Sequence, residues 1–208
     1  MIAVIMPVES DGLAEAAVVC LGITWVLFGA IFLAGRKGAA ANTARRDITS
    51  GVGFLLQMVA YTIVFAIARP RFSPIVPMPK TAEALLTALT VATGFASIWF
   101  CYAAVHTLGK QWALVARVIE GHELIKQGPY GVVRNPIYLG MFGLLLDAGV
   151  TWSRWQAVIL ASVIFLIGTQ IRIRTEEKIL RGAFGAKFDE YARSVPAFFP
   201  RIFAKSAV

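Results

Sequence analysis

The 208-residue chain has the length of one domain, and 58% of its residues are hydrophobic while only 15% are charged. An ordinary soluble domain is excluded, because about a quarter of the residues are charged in that class. The net charge of +8 does not indicate a nucleic-acid-binding protein, since no basic stripe interleaved with aromatic residues occurs outside the loops and the tail. The two cysteines and two histidines lack ligand spacing, so neither a disulfide framework nor a metal site is predicted.

Five segments are apolar and close to the ~20 residues that a helix needs to cross a bilayer. They are residues 13–35, 48–68, 82–108, 136–152 and 155–173. The fourth is short, and only Ser153 and Arg154 separate it from the fifth, so these two are predicted to form an antiparallel hairpin. The expected fold is all-α, an integral membrane protein of about five transmembrane helices forming a single domain over 1–208. Residues 1–108 are expected to be scaffold, and 109–208 to hold a cofactor loop, the hairpin and a C-terminal tail.

The orientation in the membrane is predicted from the Lys and Arg residues of the loops. Residues 36–47, residues 109–135 and the tail after residue 171 share one side and hold sixteen basic residues, against four on the other side. The catalytic loop and the C-terminus are therefore expected in the cytoplasm and the N-terminus outside, as in a bacterial inner membrane. Acidic residues flank the first span where a signal peptide would be basic, so a membrane span is expected there instead of a cleaved signal.

A polar run over residues 122–140 stands out in this apolar chain, because it gathers His, Glu, Lys, Arg, Asn and two Tyr. Such groups are costly near a bilayer and indicate a functional site. Pro129 and Pro136 predict a constrained turn, not a helix, before the fourth span. Pro136 suits the first helical turn, whose free N–H groups attract anions. Arg134 lies just before it and has the planar fork that binds carboxylates.

A second polar cluster follows the fifth span, where Arg172 and Glu176 are four residues apart and share one face of a continuing helix. Alone, this pair could be an ordinary ion pair. The hairpin, however, brings it to the 122–140 run at the same side of the membrane, which favours a site. Further on, helical spacing predicts an amphipathic tail helix with an apolar face of Phe184, Phe188 and Tyr191. The apolar segment 195–203 is predicted to lie at the interface as a cover.

The polar and aromatic residues of the second half follow a specific order. They are His122, Leu124, Gly128-Pro-Tyr130, Arg134-Asn-Pro136, Tyr138, Gly140, Arg172, Glu176-Glu177, Leu180, Phe184-Gly185, Phe188, Tyr191 and Val195-Pro196. In this order they resemble the isoprenylcysteine carboxyl methyltransferase family and its relatives among phospholipid methyltransferases. The resemblance covers roughly residues 107–203 and implies an S-adenosylmethionine (SAM)-dependent membrane methyltransferase. Its acceptor would be lipophilic, and carboxyl O-methylation of an isoprenylcysteine-like substrate is the family's best-known case.

The resemblance also implies roles for individual residues. The cofactor would be held by His122, Glu123, Leu124, Ile125, Tyr130, Arg134, Asn135, Tyr138, Gly143, Leu144, Leu145, Leu146 and Glu176. Arg172 would engage the carboxylate of the acceptor, and Arg172, Glu176 and Arg134 are the residues expected to act in catalysis. Asn135 stands where the family usually has His, and an amide cannot titrate, which argues against proton transfer there. The expected partners are membrane lipids and a lipophilic small molecule or lipidated acceptor, without nucleic acid or metal.

Two alternatives stay open. Membrane sterol or enone reductases that use NADPH share a related Arg-His-Pro-Asn-Tyr turn and a Val-Pro tail, but they lack the Glu-Glu pair after the last long helix. The presence of Glu176 and Glu177 therefore argues against a reductase. A non-catalytic membrane subunit that kept the fold would be supported by the loss of Arg172 or Glu176, and both are present.

Overall fold

The computed structural model describes residues 12–38, 48–70, 73–109 and 124–201. These ranges form seven helices: α1 (Gly12–Gly38), α2 (Ile48–Ala66), α3 (Lys80–Leu108), α4 (Pro129–Val132), α5 (Pro136–Trp152), α6 (Trp155–Phe184) and α7 (Ala186–Ser194). Within these ranges the extended pairing is limited to an isolated antiparallel bridge between Ala68 and Ser153. The prediction of an all-α fold is confirmed.

Four of the helices are long and apolar enough to cross a membrane, through Gly12–Gly35, Thr49–Ala66, Lys80–Leu108 and Trp155–Phe184. The fifth apolar helix, α5, has 17 residues and is roughly 25 Å long, which is short for the hydrocarbon core. All five predicted apolar helices are therefore present. The last one is longer than predicted, since α6 has 30 residues and spans roughly 45 Å. Its C-terminal part extends past the ~30 Å that the core requires.

The backbones of α2 and α6 touch at a pair of glycines. A Cβ atom added to Gly168 would lie 2.6 Å from the carbonyl oxygen of Gly53, and one added to Gly53 would lie 2.6 Å from the carbonyl oxygen of Gly168. Small residues allow such close packing of membrane helices. The contact fixes the first turns of α2 against the part of α6 that carries Arg172, whose Cγ lies 2.6 Å from the position that a Cβ atom on Gly53 would occupy.

This contact predicts that Gly168→Ala destabilises the protein by about 1–3 kcal/mol, because the added methyl group would overpack the α2–α6 contact. The matched control is Gly51→Ala in α2, where nothing lies within 4 Å of the added Cβ. Thermal unfolding of the purified variants in one detergent measures both. Equal midpoints for the two alanine variants would contradict the close packing.

Helix α5 packs against α3 in the same manner, since a Cβ atom at Gly140 would overlap Cys101 and one at Gly143 would overlap Ser97. At the opposite end of α5, Arg69 donates from Nη1 to the carbonyl oxygens of Val150 at 2.7 Å and Ser153 at 2.8 Å. These bonds satisfy carbonyls that a helix C-terminus leaves without intrahelical partners. Both ends of α5 are therefore held against neighbouring parts of the chain.

Candidate functional site

The chain before α5 forms a tight turn that the tail covers. Gly128 has a φ of +59° and is followed by α4, a single turn of helix. The prediction of a turn without helix is wrong over Pro129–Val132, because Pro129 occupies the first helical position, where its missing N–H costs nothing. The backbone N–H of Arg134 donates to the carbonyl oxygen of Pro196 at 2.9 Å. Asn135 donates from Nδ2 to that of Ala197 at 2.9 Å.

Arg134 joins three parts of the chain. Its Nε and Nη2 donate to Oε1 of Glu177 at 2.9 and 2.7 Å, and its Nη1 donates to the carbonyl oxygens of Ala192 at 2.9 Å and of Val195. The two charged side chains are only 11% and 16% exposed. The sequence predicted that the guanidinium of Arg134 binds a carboxylate. In the structure this carboxylate is that of Glu177, in the same chain. Arg134 therefore joins the end of α7 to α6 and to the start of α5.

Glu176, the residue before Glu177 in α6, faces the first turn of α5. Its Oε1 accepts a hydrogen bond from the hydroxyl of Tyr138, and Nη2 of Arg172 lies 3.5 Å from the same oxygen. The predicted convergence of the two polar clusters is confirmed at this point. The side chain of Glu176 remains 21% exposed. We call the three residues Tyr138, Arg172 and Glu176 the polar triad.

Arg172 is enclosed by residues of three helices and is only 5% exposed. Its guanidinium carbon lies 5.0 Å from the ring centre of Tyr138 and 5.7 Å from that of Phe54, and both contacts are cation–π interactions. Its Nη1 donates to Oε1 of Gln57 at 3.4 Å. From the sequence, α2 is expected to be scaffold, and neither Phe54 nor Gln57 is predicted to contact the site. A polar residue in the middle of an apolar helix was the available signal for Gln57.

Two buried tyrosines, Tyr130 in the turn before α5 and Tyr191 in α7, connect α7 to this turn. The hydroxyl of Tyr191 donates to the carbonyl oxygen of Tyr130 at 2.6 Å. Burial raises the pKa of Tyr191 to about 12 and that of Tyr130 well above its ordinary value. A raised pKa favours the protonated form, so both phenols stay neutral at physiological pH. These groups therefore act as hydrogen-bonding and packing groups at neutral pH.

The remaining predicted cofactor residues fall into three groups. Leu124 and Ile125 are half-buried just before the turn. Gly143 faces α3, the fully buried Leu144 and Leu145 belong to the interior, and Leu146 is half-buried. The cofactor role of these four positions stays a prediction. His122 and Glu123 lie outside the described residues.

Another buried polar group, Asp147, was not singled out in the sequence. It accepts a hydrogen bond from Oγ1 of Thr24 at 3.2 Å and lies against Gly94, where an added Cβ would be 2.5 Å from its Oδ2. It lies about three turns after the start of α5, well away from the polar triad. Across the described ranges, no group of three or more His, Cys, Asp and Glu side chains could hold a metal ion.

Comparison with known proteins identifies relatives of the second half of the chain. Residues 85–187 match the family described as phospholipid methyltransferase. This stretch contains most of α3 and all of α4, α5 and α6, and so includes the polar triad and Arg134. It excludes α2, which supplies Phe54 and Gln57.

Three relatives illustrate the range of named functions. The cobalt-zinc-cadmium resistance protein CzcN of Cupriavidus metallidurans is 38% identical over 98 residues, which are 46% of this chain and 44% of the relative. The nickel-cobalt-cadmium resistance protein NccN of Alcaligenes xylosoxydans is 39% identical over 98 residues, 46% and 45% of the two chains. The protein-S-isoprenylcysteine O-methyltransferase of Schizosaccharomyces pombe is 32% identical over 81 residues, 39% and 34%. The chain spans less than half the length of each of these relatives.

Proposed function

We propose that the chain is an integral membrane, SAM-dependent methyltransferase with a lipophilic acceptor, on the basis of the match of residues 85–187 to the phospholipid methyltransferase family. The observation that carries the proposal is the polar triad, which combines a partly exposed glutamate, a buried guanidinium and an aromatic ring at one end of a membrane bundle. The preferred reaction is carboxyl O-methylation of an isoprenylcysteine-like acceptor, since the Schizosaccharomyces relative is named a protein-S-isoprenylcysteine O-methyltransferase.

The residues around Glu176 fit the cationic part of SAM, which supplies a methyl group activated by its sulfonium when bound. Both contacts of the carboxylate involve Oε1, and the side chain is partly exposed. It can therefore accept a further hydrogen bond from an ammonium group. Tyr138 adds an aromatic ring beside it, a suitable neighbour for a cation. The proposed cofactor site is completed by His122, Glu123, Leu124, Ile125, Tyr130 and Asn135.

Arg134 and residues 143–146 have a supporting role in this proposal. Arg134 already binds Glu177 and two tail carbonyls, so we assign to it the closure of the tail over the site instead of a direct cofactor contact. Gly143 to Leu146 hold α5 against its neighbours. This packing keeps Tyr138, which lies in the first turn of α5, in place.

Arg172 is the proposed anchor for the acceptor carboxylate. A guanidinium binds a carboxylate through two parallel hydrogen bonds, and the two aromatic rings restrict the plane in which this guanidinium can lie. An acceptor carboxylate is already deprotonated and needs no general base. The requirement is alignment and exclusion of water, and well-oriented reactants can gain about 7–11 kcal/mol from alignment alone. An amine or thiol acceptor would instead lose a proton, with Glu176 as the nearest carboxylate.

The apolar part of the acceptor has space at the same end of the bundle. A cleft of about 830 Å³ between the later turns of α1 and α3 is lined by Leu27, Phe95, Trp99 and other apolar side chains. The cleft offers such an acceptor a lateral route from the lipid. The excess of basic residues on this side supports a cytoplasmic site in a bacterial inner membrane, with the N-terminus outside.

The test is calorimetric binding of S-adenosylhomocysteine to the detergent-purified protein, with NADPH titrated in parallel. Wild type is expected to bind S-adenosylhomocysteine saturably, and Glu176→Ala to bind it roughly 10- to 100-fold more weakly, because a charge-assisted hydrogen bond is lost. Glu190→Ala, which removes an exposed carboxylate of α7, is the matched control and should bind as wild type. Binding of NADPH alone would assign the protein to the reductases, and binding of neither compound would favour the non-catalytic subunit.

A further inference from the structure

We infer that Gln57 of α2, outside the segment that matches the family, is a positioning residue that orients Arg172 toward a carboxylate ligand. Gln57 is 0% exposed and makes two side-chain contacts with α6. Its Oε1 accepts from Nη1 of Arg172 at 3.4 Å, and its Nε2 donates to Oγ1 of Thr169 at 2.9 Å. The inference rests on the proposed function for one point, that the ligand of Arg172 is the carboxylate of the methyl acceptor.

The chemistry of the three groups fixes the orientation of the amide. A guanidinium has only donors, so it must face the amide oxygen of Gln57. The amide nitrogen is then directed to Thr169, which lies three residues before Arg172 on the same face of α6. Gln57 thus contacts two residues that lie one turn apart on α6, and it holds the side chain of Arg172 in a fixed position on that helix. An amide in an apolar helix is costly without such partners.

Other residues of α2 restrict the rest of the Arg172 side chain. Gly53, one turn before Gln57, leaves room for the stem, since a Cβ atom there would lie 2.6 Å from Arg172 Cγ. Phe54 lies 5.7 Å from the guanidinium carbon. The stem, the face and one edge of Arg172 are therefore each in contact with α2. The side chain of Arg172 is therefore oriented by a helix that the family match does not include.

Gln57 holds the guanidinium without neutralising it. A glutamate of nearly the same shape at this position would pair with Arg172 and compete with a ligand carboxylate for its donors. Gln57→Glu is therefore expected to reduce the affinity for a lipophilic carboxylate by about tenfold or more. Gln57→Leu removes the acceptor without adding a charge, and it should weaken the same ligand through loss of orientation. Neither change alters Glu176 itself.

The experiment uses the full chain in detergent and two probes, a long-chain fatty carboxylate and its methyl ester. Their dissociation constants are measured for wild type, Gln57→Glu and Gln57→Leu, together with that of S-adenosylhomocysteine. The matched control is Gln170→Glu, the same substitution at an exposed position of α6. Wild type and the control are expected to prefer the carboxylate over the ester, and Gln57→Glu to lose that preference while its affinity for S-adenosylhomocysteine is unchanged.

Each other result has a defined meaning. A carboxylate preference that survives in both Gln57 variants, or that is absent in wild type, would overturn the inference. If Gln57→Glu does not fold, the preference measured in Gln57→Leu decides it. Failure of wild type to bind S-adenosylhomocysteine would remove the proposed function alone, because the carboxylate preference is measured independently of the cofactor.

Discussion

Arg134→Ala is expected to release the C-terminal tail from the bundle and to abolish activity. Its guanidinium is bonded to Glu177 of α6 and to the carbonyl oxygens of Ala192 and Val195. Removal of one partner of a largely buried ion pair leaves a charge without compensation and costs about 3–5 kcal/mol. The docking equilibrium of the tail should therefore shift by roughly 10²- to 10³-fold toward the open form.

Limited proteolysis measures this shift, because α7 carries exposed basic residues that trypsin can cut once the tail is released, Lys187 and Arg193. The matched control is Arg181→Ala, which removes the ion pair with Asp189 across the α6–α7 junction. Those side chains are 51% and 45% exposed, and exposed pairs contribute at most about 1 kcal/mol. Cleavage of the Arg134 variant at the wild-type rate would show that the tail is held by other contacts.

The sequence predicted the elements of the fold because each depends on local information. Apolar length defined the five long helices, and the two-residue link at Ser153 and Arg154 required the hairpin. The hairpin in turn brought the run before α5 to the end of α6, so the meeting of Tyr138 and Glu176 followed from topology. The extent of α6 was predicted less well, since the apolar run ends near residue 173 while the helix continues to Phe184.

The partners of individual side chains could not be predicted in the same way. Arg134 binds backbone carbonyls of the tail. Every residue has a backbone carbonyl group, so the sequence does not indicate which ones accept these hydrogen bonds. Gln57 is 115 residues from Arg172, and α2 has no motif that relates it to the site. The tertiary contact depends on the Gly53–Gly168 packing, in which the absence of two side chains is the determining feature. Glycine in an apolar helix indicates close packing without naming the neighbour.

The contact between Arg172 and Glu176 alters the effects that are expected from substitutions of Arg172. From sequence, Arg172 and Glu176 serve acceptor and cofactor separately. In the structure, Nη2 of Arg172 lies 3.5 Å from Oε1 of Glu176, which also accepts from Tyr138. Removal of the arginine charge leaves a carboxylate with one remaining partner inside the bundle. Arg172→Ala is therefore expected to lower acceptor turnover by roughly 10²- to 10³-fold and also to change the affinity for S-adenosylhomocysteine.

Arg172→Lys separates the two effects. Lysine keeps a positive charge beside Glu176, but it lacks the planar fork that binds a carboxylate through two hydrogen bonds. Turnover of a carboxylate acceptor should fall as far as in the alanine variant, whereas S-adenosylhomocysteine affinity should return toward the wild-type value. Arg174→Lys, at an exposed position two residues further along α6, is the control and should retain both. If lysine restored turnover, charge alone would suffice at this position, and the bidentate role of Arg172 would have to be abandoned.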